Sequence, residues 1–466
     1  MPGLQIYRSN RIEALAEILI ELLQNPEQRP SDPMEVVEVV VGSSGLARWL
    51  RHRIATKVGI CAQMDFPFPA QFIQRQLSHI LNEPKAASAD LWSQEAISLA
   101  ILEAIGSDDL KNTPLGRIQT GPEEPVTAQD LSTASEVARV FDRYGVYRPA
   151  LIRSWCGLPE HDPPTLPSQL QWQAEVWQSL TNKLDSTQHF ATRIARAKAI
   201  LQGGDVDLKG PIRVFGFSSL PPAWLEFLWD VAQVIDVHLF ALCPSIEGWN
   251  RLHAHSADAA RLRKVDRERE LSGQLNLDSI HPLHESLGRS ARDTQLVLES
   301  LNGYHLGVVV DETLNEADSA SALHTLQADI LQCRHPEGGD QRSELSPDDR
   351  SIQFHACHGP ARQVEVIRDV ILDLLDRHDD LEPRDIVIMT PEITTYAPLL
   401  EGSFGRGQWA KGAGGSPWGE SGTPRIPVEI ADLSVRRTNP VADALLRVMD
   451  VAAHRLTASA ALDLIA

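Results

Sequence analysis

Apolar positions change their spacing repeatedly along the chain, from unbroken runs suited to buried strands to the wider intervals of amphipathic helices. That alternation predicts an α/β protein with a parallel sheet. Residues 5–7 predict a short strand, followed by Ser9 or Asn10 as a helix cap and a helix burying Ile12, Leu15, Leu19 and Leu22. Residues 36–41 predict a second, β-branched strand that runs into Gly42-Ser43-Ser44-Gly45 and a helix containing Leu46, Trp49, Leu50 and Ile54. Residues 92–147 are mostly helical in pattern with an interruption at 121–125, and helix resumes over 172–201. Two buried strands at 212–217 and 237–242 flank a helix at 222–234, which makes a compact βαβ unit. Residues 250–302 are polar and charged and predict an insertion.

The stretch RHPEGGDQRSELSPDDR at 334–350 has almost no apolar content and predicts an exposed linker. The pattern then restarts with a strand at 352–357, a helix at 364–375, a strand at 386–390 and a Gly-rich loop at 402–422. The expected organisation is a first domain over 1–333 with a helical insertion at about 75–205, the linker, and a second α/β domain over 351–466. The last residue, Ala466, falls inside a helical pattern with no cap, so the sequence predicts a fragment.

Composition narrows the class. With 42% hydrophobic and 23% charged residues the chain is globular, and its opening residues carry neither a signal peptide nor a membrane-spanning run. Five scattered cysteines, never spaced as CxxC, argue against a disulfide framework or a zinc site and for the cytoplasm. A net charge of −20 excludes a surface that grips phosphate everywhere, because duplex affinity comes largely from counterion release by Lys and Arg. Any DNA contact must be local. Arg48, Arg51, His52, Arg53 and Lys57 form one basic stretch without an acid, although such charge runs are usually solvated helix faces and the patch alone is weak evidence.

A strand, a glycine turn and a helix is the setting of a phosphate loop, and Gly42 to Arg48 occupies it. The chemistry is missing. Gly-Lys occurs nowhere in the chain, and the strand at 212–217 ends in Phe217-Ser218-Ser219 and not in an acidic pair able to hold Mg²⁺, so ATP hydrolysis by this chain is not expected. Ser43, Ser44 and Ser218 sit at elbow-like turns, but none completes G-x-S-x-G, and capping serines explain them more simply. In His355-Ala356-Cys357-His358 strand alternation would send His358 to the opposite face from His355 and Cys357, which disfavours a metal set. Asp65-Phe66-Pro67-Phe68-Pro69 would hold two aromatics on a stiff loop. Phe66 is expected to pack inside, and an exposed ring could stack on an unpaired base. Phe141 to Pro149 (FDRYGVYRP) ends a helix with Asp142, Arg143 and Arg148, where arginine forks suit phosphate or base edges and a structural Arg–Asp pair suits the composition as well.

These segments carry a family resemblance. Tyr7 to Arg11, Ser43 to Leu50, the DFPFP loop and FDRYGVYRP resemble the start of the gamma subunit of exodeoxyribonuclease V, the RecC family. VFGFSSLPP at Val214, LFALCPSIEGW at Leu239, SLGRSARD at Ser286, FHACHGPARQVEVI at Phe354, PRDIVIM at Pro383 and NPVADALL at Asn439 continue the likeness collinearly to about residue 450. The resemblance implies a superfamily 1 helicase-like P-loop fold with degenerate nucleotide motifs and helical insertions, followed by the start of a second helicase-like domain. It implies a non-catalytic scaffold of a helicase–nuclease for double-strand break repair. Such a subunit holds the beta and alpha subunits, meets double-stranded DNA ends and threads the 3′-ended single strand through a channel, the place for reading a recombination hotspot. No cofactor is expected in this chain. ATP and Mg²⁺ belong to the partner subunits.

Carried over position by position, the family's strand-reading surface falls on Gly42, Ser44, Arg48, Phe68, Gln74, Arg139, Val140, Asp142, Arg143 and Arg148. Asp142 and Arg148 match the pattern and Ser44 replaces threonine. Gly42, Arg48 and Gln74 depart from the amide and aromatic residues of the family, so passage of a strand is better supported than recognition of one sequence. The expected DNA-contacting set is Ser44, Arg48, Phe68, Asp142, Arg143 and Arg148. Two other readings stay open, a self-sufficient ATP-driven helicase or exonuclease and an α/β hydrolase using Ser44 or Ser218.

Overall fold

The structure is a computed structural model. It describes residues 2–453 apart from 29–31, 33, 84–91, 106–109, 111–112, 118–126, 159–165, 205, 260–280, 302–303, 311–320, 335–345, 405–425, 432 and 434–438. The expected interruption at 121–125 and most of the loop at 402–422 lie outside the described residues. The chain divides into one compact unit at Met1–Asp349 and another at Arg350–Ala466.

In the first unit β1 (Leu4–Ser9) leads into α1 (Ile12–Gln24). The N-cap position belongs to Arg11, not to Ser9 or Asn10; the Ser9 hydroxyl instead accepts the Arg11 N–H at 3.1 Å and shapes the turn. The second predicted strand is two short pieces, β2 (Val37–Glu38) and β3 (Val40–Val41): Val37, Val39 and Val41 N–H all donate to the 63–67 segment, and only β3 gains a second neighbour on its other side. β2 pairs with β4 (Met64–Asp65) and β3 pairs with β5 (Ile212–Phe217). Between them come α2 (Ser44–Val58) and α3 (Pro69–Ile80). A helical group follows: α4 (Gln94–Ile105), α5 (Ala128–Tyr147), α6 (Pro149–Trp155), α7 (Trp172–Lys183) and α8 (Phe190–Gly203). The single helix expected over 172–201 is thus two, broken where Asp185 caps a short 3₁₀ turn. After β5 come α9 (Pro222–Ala232), β6 (Val237–Leu242), α10 (Ile246–Ala259), α11 (Pro282–Ser286), α12 (Arg289–Leu301), β7 (His305–Val310) and α13 (Ala322–Leu331).

Five strands form one parallel sheet in the order β3-β5-β6-β1-β7. Side chains alternate between its faces, as the period of two requires. Leu4, Ile6, Ile212, Val214, Val237 and Leu239 enter one core with residues of α3, α8 and α9, whereas Tyr7, Val41, Phe215 and Phe240 enter another with α1 and α2. Burial on both faces explains why the strands read as continuous apolar runs. The helical group has its own core, in which Trp177 stacks on Trp92 at 5.0 Å and meets Phe141 edge-on at 5.3 Å. The region expected as an insertion at 250–302 is integral to the unit in its described part: Leu252 and Leu298 are buried, and Gln295 donates to the Trp249 carbonyl at 2.8 Å. Its polar composition misled because α10 and α12 spend many residues on solvent and on buried hydrogen bonds.

The second unit contains α14 (Pro360–Arg377), α15 (Ile393–Phe404) and α16 (Pro440–Ala453), with Val364, Ile371, Leu400, Phe404 and Ile426 as its buried centre. The strands expected at 352–357 and 386–390 are absent among the described residues, where neither segment forms a ladder. A strand exists only through its hydrogen-bonded neighbour, and among the described residues these two apolar stretches have none, with Phe354 94% and Met389 89% exposed. α15 continues through Gly402 to Phe404, where the sequence predicted loop.

Candidate nucleic-acid interface

The carboxyl end of β3 and the DFPFP loop form one rim. Val41 N–H donates to the Pro67 carbonyl at 3.1 Å, which places the turn at Gly42 beside the start of α3. Ser43 caps α2 through its hydroxyl, which accepts the Leu46 N–H at 3.1 Å. Ser44 and Arg48 follow, exposed and one helical turn apart. Phe66 is buried, as expected, whereas Phe68 at the N-cap of α3 stays 46% exposed with Pro69 fixing the first helical residue behind it.

The basic stretch on α2 resolves into two groups. Arg53 and Lys57 bind Glu17 of α1 at 2.7 and 2.8 Å, so their charge is already matched. Arg48 makes no ion pair among the described residues, and Arg51 lays its guanidinium 5.0 Å over the Phe66 ring while remaining exposed. Arg51 is not in the expected DNA-contacting set. The available signal was its spacing, since 44, 48, 51 and 52 fall on one face of a helix.

Asp142, Arg143 and Arg148 are exposed at the end of α5, away from the α2 rim in sequence. Arg148 is both the last cap of α5 and the first of α6, and its guanidinium sits 5.2 Å over the Tyr144 ring. The link to the rim runs through other residues. Gly145 of α5 packs on the His189 ring, which begins α8, and one turn further Arg193 donates to Gln74 and Ser78 of α3 and pairs with Glu83. Gln74 is therefore occupied in joining α3 to α8. Arg139 is likewise paired with Glu136, at 2.5 Å.

The structure moves the phosphate-loop comparison. β3, before Gly42, is an edge strand, while β1 lies inside the sheet with α1 directly after it. In an open parallel sheet ligands bind beyond the carboxyl ends where the order reverses. That turn is Ser9-Asn10-Arg11, which carries neither glycine nor lysine. Arg8 before it is buried, donates to Asn250 at 3.1 Å and stacks on Trp249. Of the candidate nucleophiles, the Ser43 hydroxyl is used in capping. Ser218 shares a cavity with His284, whose Nε2 lies 2.8 Å from the Ile330 carbonyl oxygen, and no carboxylate lines that cavity. Among the described residues no three His, Cys, Asp or Glu side chains cluster as a metal site, and no helix is long and apolar enough to cross a membrane.

An α/β protein with a buried parallel sheet and a cationic, aromatic rim is the class these features define. The chain belongs to the RecC family: residues 4–333 match the family described as RecC, N-terminal domain. It is 31% identical over 99% of its length to the RecBCD enzyme subunit RecC of Mycolicibacterium smegmatis, covering 40% of that protein. It is 32% identical over 99% of its length to the subunit of the same name from Mycobacterium tuberculosis, covering 40% of it. For that of Escherichia coli the figures are 30%, 99% and 42%. The chain thus spans about two fifths of the length of these relatives.

Proposed function

We propose that the chain acts as the non-catalytic, DNA-contacting part of a RecBCD-type helicase–nuclease, guiding a single strand during double-strand break repair. The observation that carries this reading is the pairing of an exposed rim of Ser44, Arg48, Arg51 and Phe68 with an interior β1–α1 turn that has no lysine for phosphate. A strand would stack a base on Phe68, set phosphates against Arg48 and Arg51, and continue to Asp142, Arg143 and Arg148. The helicase-like P-loop fold is part of this proposal, supported by the parallel sheet with its first strand inside and a 13-residue helix directly after it. ATP, Mg²⁺ and the motor work belong to the partner chains, named in the family as the beta and alpha subunits, in the cytoplasm and away from membranes. The RecBCD names of the relatives support that assembly.

The test is strand binding by the assembled complex carrying Arg48→Ala with Arg148→Ala. Each lost phosphate contact should flatten the salt dependence by about 0.7 in log–log slope. Unchanged affinity and slope would remove the assignment. A self-sufficient motor would instead hydrolyse ATP without its partners.

A further inference from the structure

At the carboxyl ends of β5 and β6 the chain encloses a cavity of about 70 Å³ that the strand-guiding rim does not use. Ser218 lies at its exposed side, Trp249 of α10 and Arg292 of α12 form its wall, and Gly288 and Ala291 bring the start of α12 to it. The segment Gly288-Arg289-Ser290-Ala291-Arg292 is the part of the SLGRSARD motif that strand guidance leaves unexplained.

The unpartnered polar groups of the wall are hydrogen-bond donors, set among apolar Leu242, Pro244 and Leu252. The wall contains no Asp or Glu. Arg292 makes no ion pair among the described residues, and its Nη1 is buried without an acceptor. The Trp249 indole Nε1 is also without an acceptor, in a residue only 8% exposed. Arg8 adds a second positive charge 5.4 Å from the Trp249 ring. Gly288 accepts the first backbone bond of α12, from Arg292 N–H, so the helix presents its unsatisfied N–H groups and positive dipole end to the same place. Glycine is required there, because a Cβ at 288 would lie 2.6 Å from the His284 carbonyl oxygen. Buried donors without acceptors carry a desolvation cost that an incoming oxygen removes. The space equals that of about two waters, at roughly 30 Å³ each, which suits one tetrahedral oxyanion.

We propose that this cavity is a site for a single phosphate group, bound by the Arg292 guanidinium and the Trp249 indole N–H. Free phosphate and a phosphate carried by a DNA strand present the same oxygens. The inference shares no residue with the strand-guiding rim and stands apart from that reading.

Equilibrium dialysis of the whole chain against ³²P-labelled orthophosphate should show one saturable site. Arg292→Ala should weaken it by about tenfold or more, the effect of losing a charge-assisted bond. Trp249→Phe keeps a ring beneath Arg8 but removes the N–H together with part of the indole, so it should weaken binding severalfold and, the residue being buried, lower the unfolding temperature modestly while the chain stays folded. Should Arg292→Ala not fold, Arg292→Lys keeps the charge, loses the planar fork and should weaken binding to a smaller degree. Competition with a thymidine oligonucleotide identifies the source. Displacement only by the 5′-phosphorylated form indicates a strand end, displacement by both forms an internal phosphate, and displacement by neither free phosphate. Arg48→Ala with Arg148→Ala should leave orthophosphate binding unchanged. Absence of saturable binding, as for a cavity that holds water alone, or binding indifferent to both Arg292 and Trp249 would overturn the proposal.

Discussion

Arg53 of α2 reaches Glu17 of α1 with its Nη2 2.7 Å from Oε1, and Lys57 holds the other carboxylate oxygen at 2.8 Å. The Lys57 hydrogen bond, then that of Arg53, keeps the Glu17 carboxyl below the usual range for glutamate. One acid thus cancels much of a cationic stripe that otherwise would extend from Arg48 along the whole helix. Glu17→Gln should release both cations, tighten single-strand binding at low salt and steepen the log–log salt slope by up to about 1.4, at about 0.7 per additional phosphate. The stability cost should stay below about 1 kcal/mol, as for an exposed ion pair. Anisotropy of a labelled oligonucleotide over a salt series measures the slope, and an unchanged slope would place the strand off this face.

The two phenylalanines of the DFPFP loop should separate folding from binding. Phe68→Ala removes an exposed ring and is expected to cost about 1–3 kcal/mol of single-strand affinity with the salt slope unchanged. Phe66→Ala empties a buried position beneath Arg51 and should lower unfolding stability by about 3–5 kcal/mol. Binding isotherms and urea titrations of the two variants check both. Equal losses in both assays for Phe68→Ala would make that ring structural.

Much of the sheet was legible because parallel strands buried on both faces leave unbroken apolar runs, as at residues 212–217 and 237–242. The misses have separate physical causes. β7, as long as β5 and β6, escaped notice because Gly307 interrupts its apolar run and it needs β1 as a partner, and the division of 37–41 into two pieces follows from β5 pairing only with Val40 and Val41. Apolar alternation at 352–357 and the unbroken apolar run at 386–389 show which residues could form strands, while a ladder depends on a neighbour that pattern cannot supply. For the candidate site, sequence identified Ser44, Arg48 and Phe68 separately, but their common rim rests on the Val41–Pro67 hydrogen bond between distant segments. The role of Glu17 was hidden for the same reason, since nothing in the spacing of α1 announces that it faces Arg53.

Gly216 should not tolerate a side chain. Its φ of +78° lies in the left-handed region, and an added Cβ would come within 2.9 Å of Leu46 Cδ2 and 3.3 Å of Ile12 Cδ1. At this point β5 bulges against β6 and the first turns of α1 and α2 close over it. Gly216→Ala is expected to destabilise the first unit by about 2–5 kcal/mol, combining backbone strain of about 1–2 with overpacking of about 1–3. Leu46→Ala added to it should recover the packing part only. A double-mutant cycle by urea unfolding measures that coupling, and strict additivity would mean that Leu46 is not the obstacle.

The joint between α5 and α8 should be sensitive to acid. His189 begins α8 with its Nδ1 accepting the Ala191 N–H at 3.2 Å and its ring edge-on to Trp92 and Trp177, and burial pushes its pKa from 6.5 down to about 3. The folded chain therefore keeps the ring neutral, while the unfolded chain takes up a proton below about pH 6.5. Stability held in full above that pH is lost progressively as the medium acidifies, and the loss levels off once the folded ring also protonates near pH 3. Between pH 7 and pH 5 this one group should cost about 2 kcal/mol. His189→Gln retains an acceptor for the Ala191 N–H but cannot titrate, so it should flatten the pH dependence by that amount even if it lowers stability at pH 7. Urea midpoints of both proteins at the two pH values decide it. Because Gly145 packs on this ring three residues before Arg148, the same acidification should loosen the α5 end, and a parallel pH profile for the variant and the parent would show that His189 is not the group being charged.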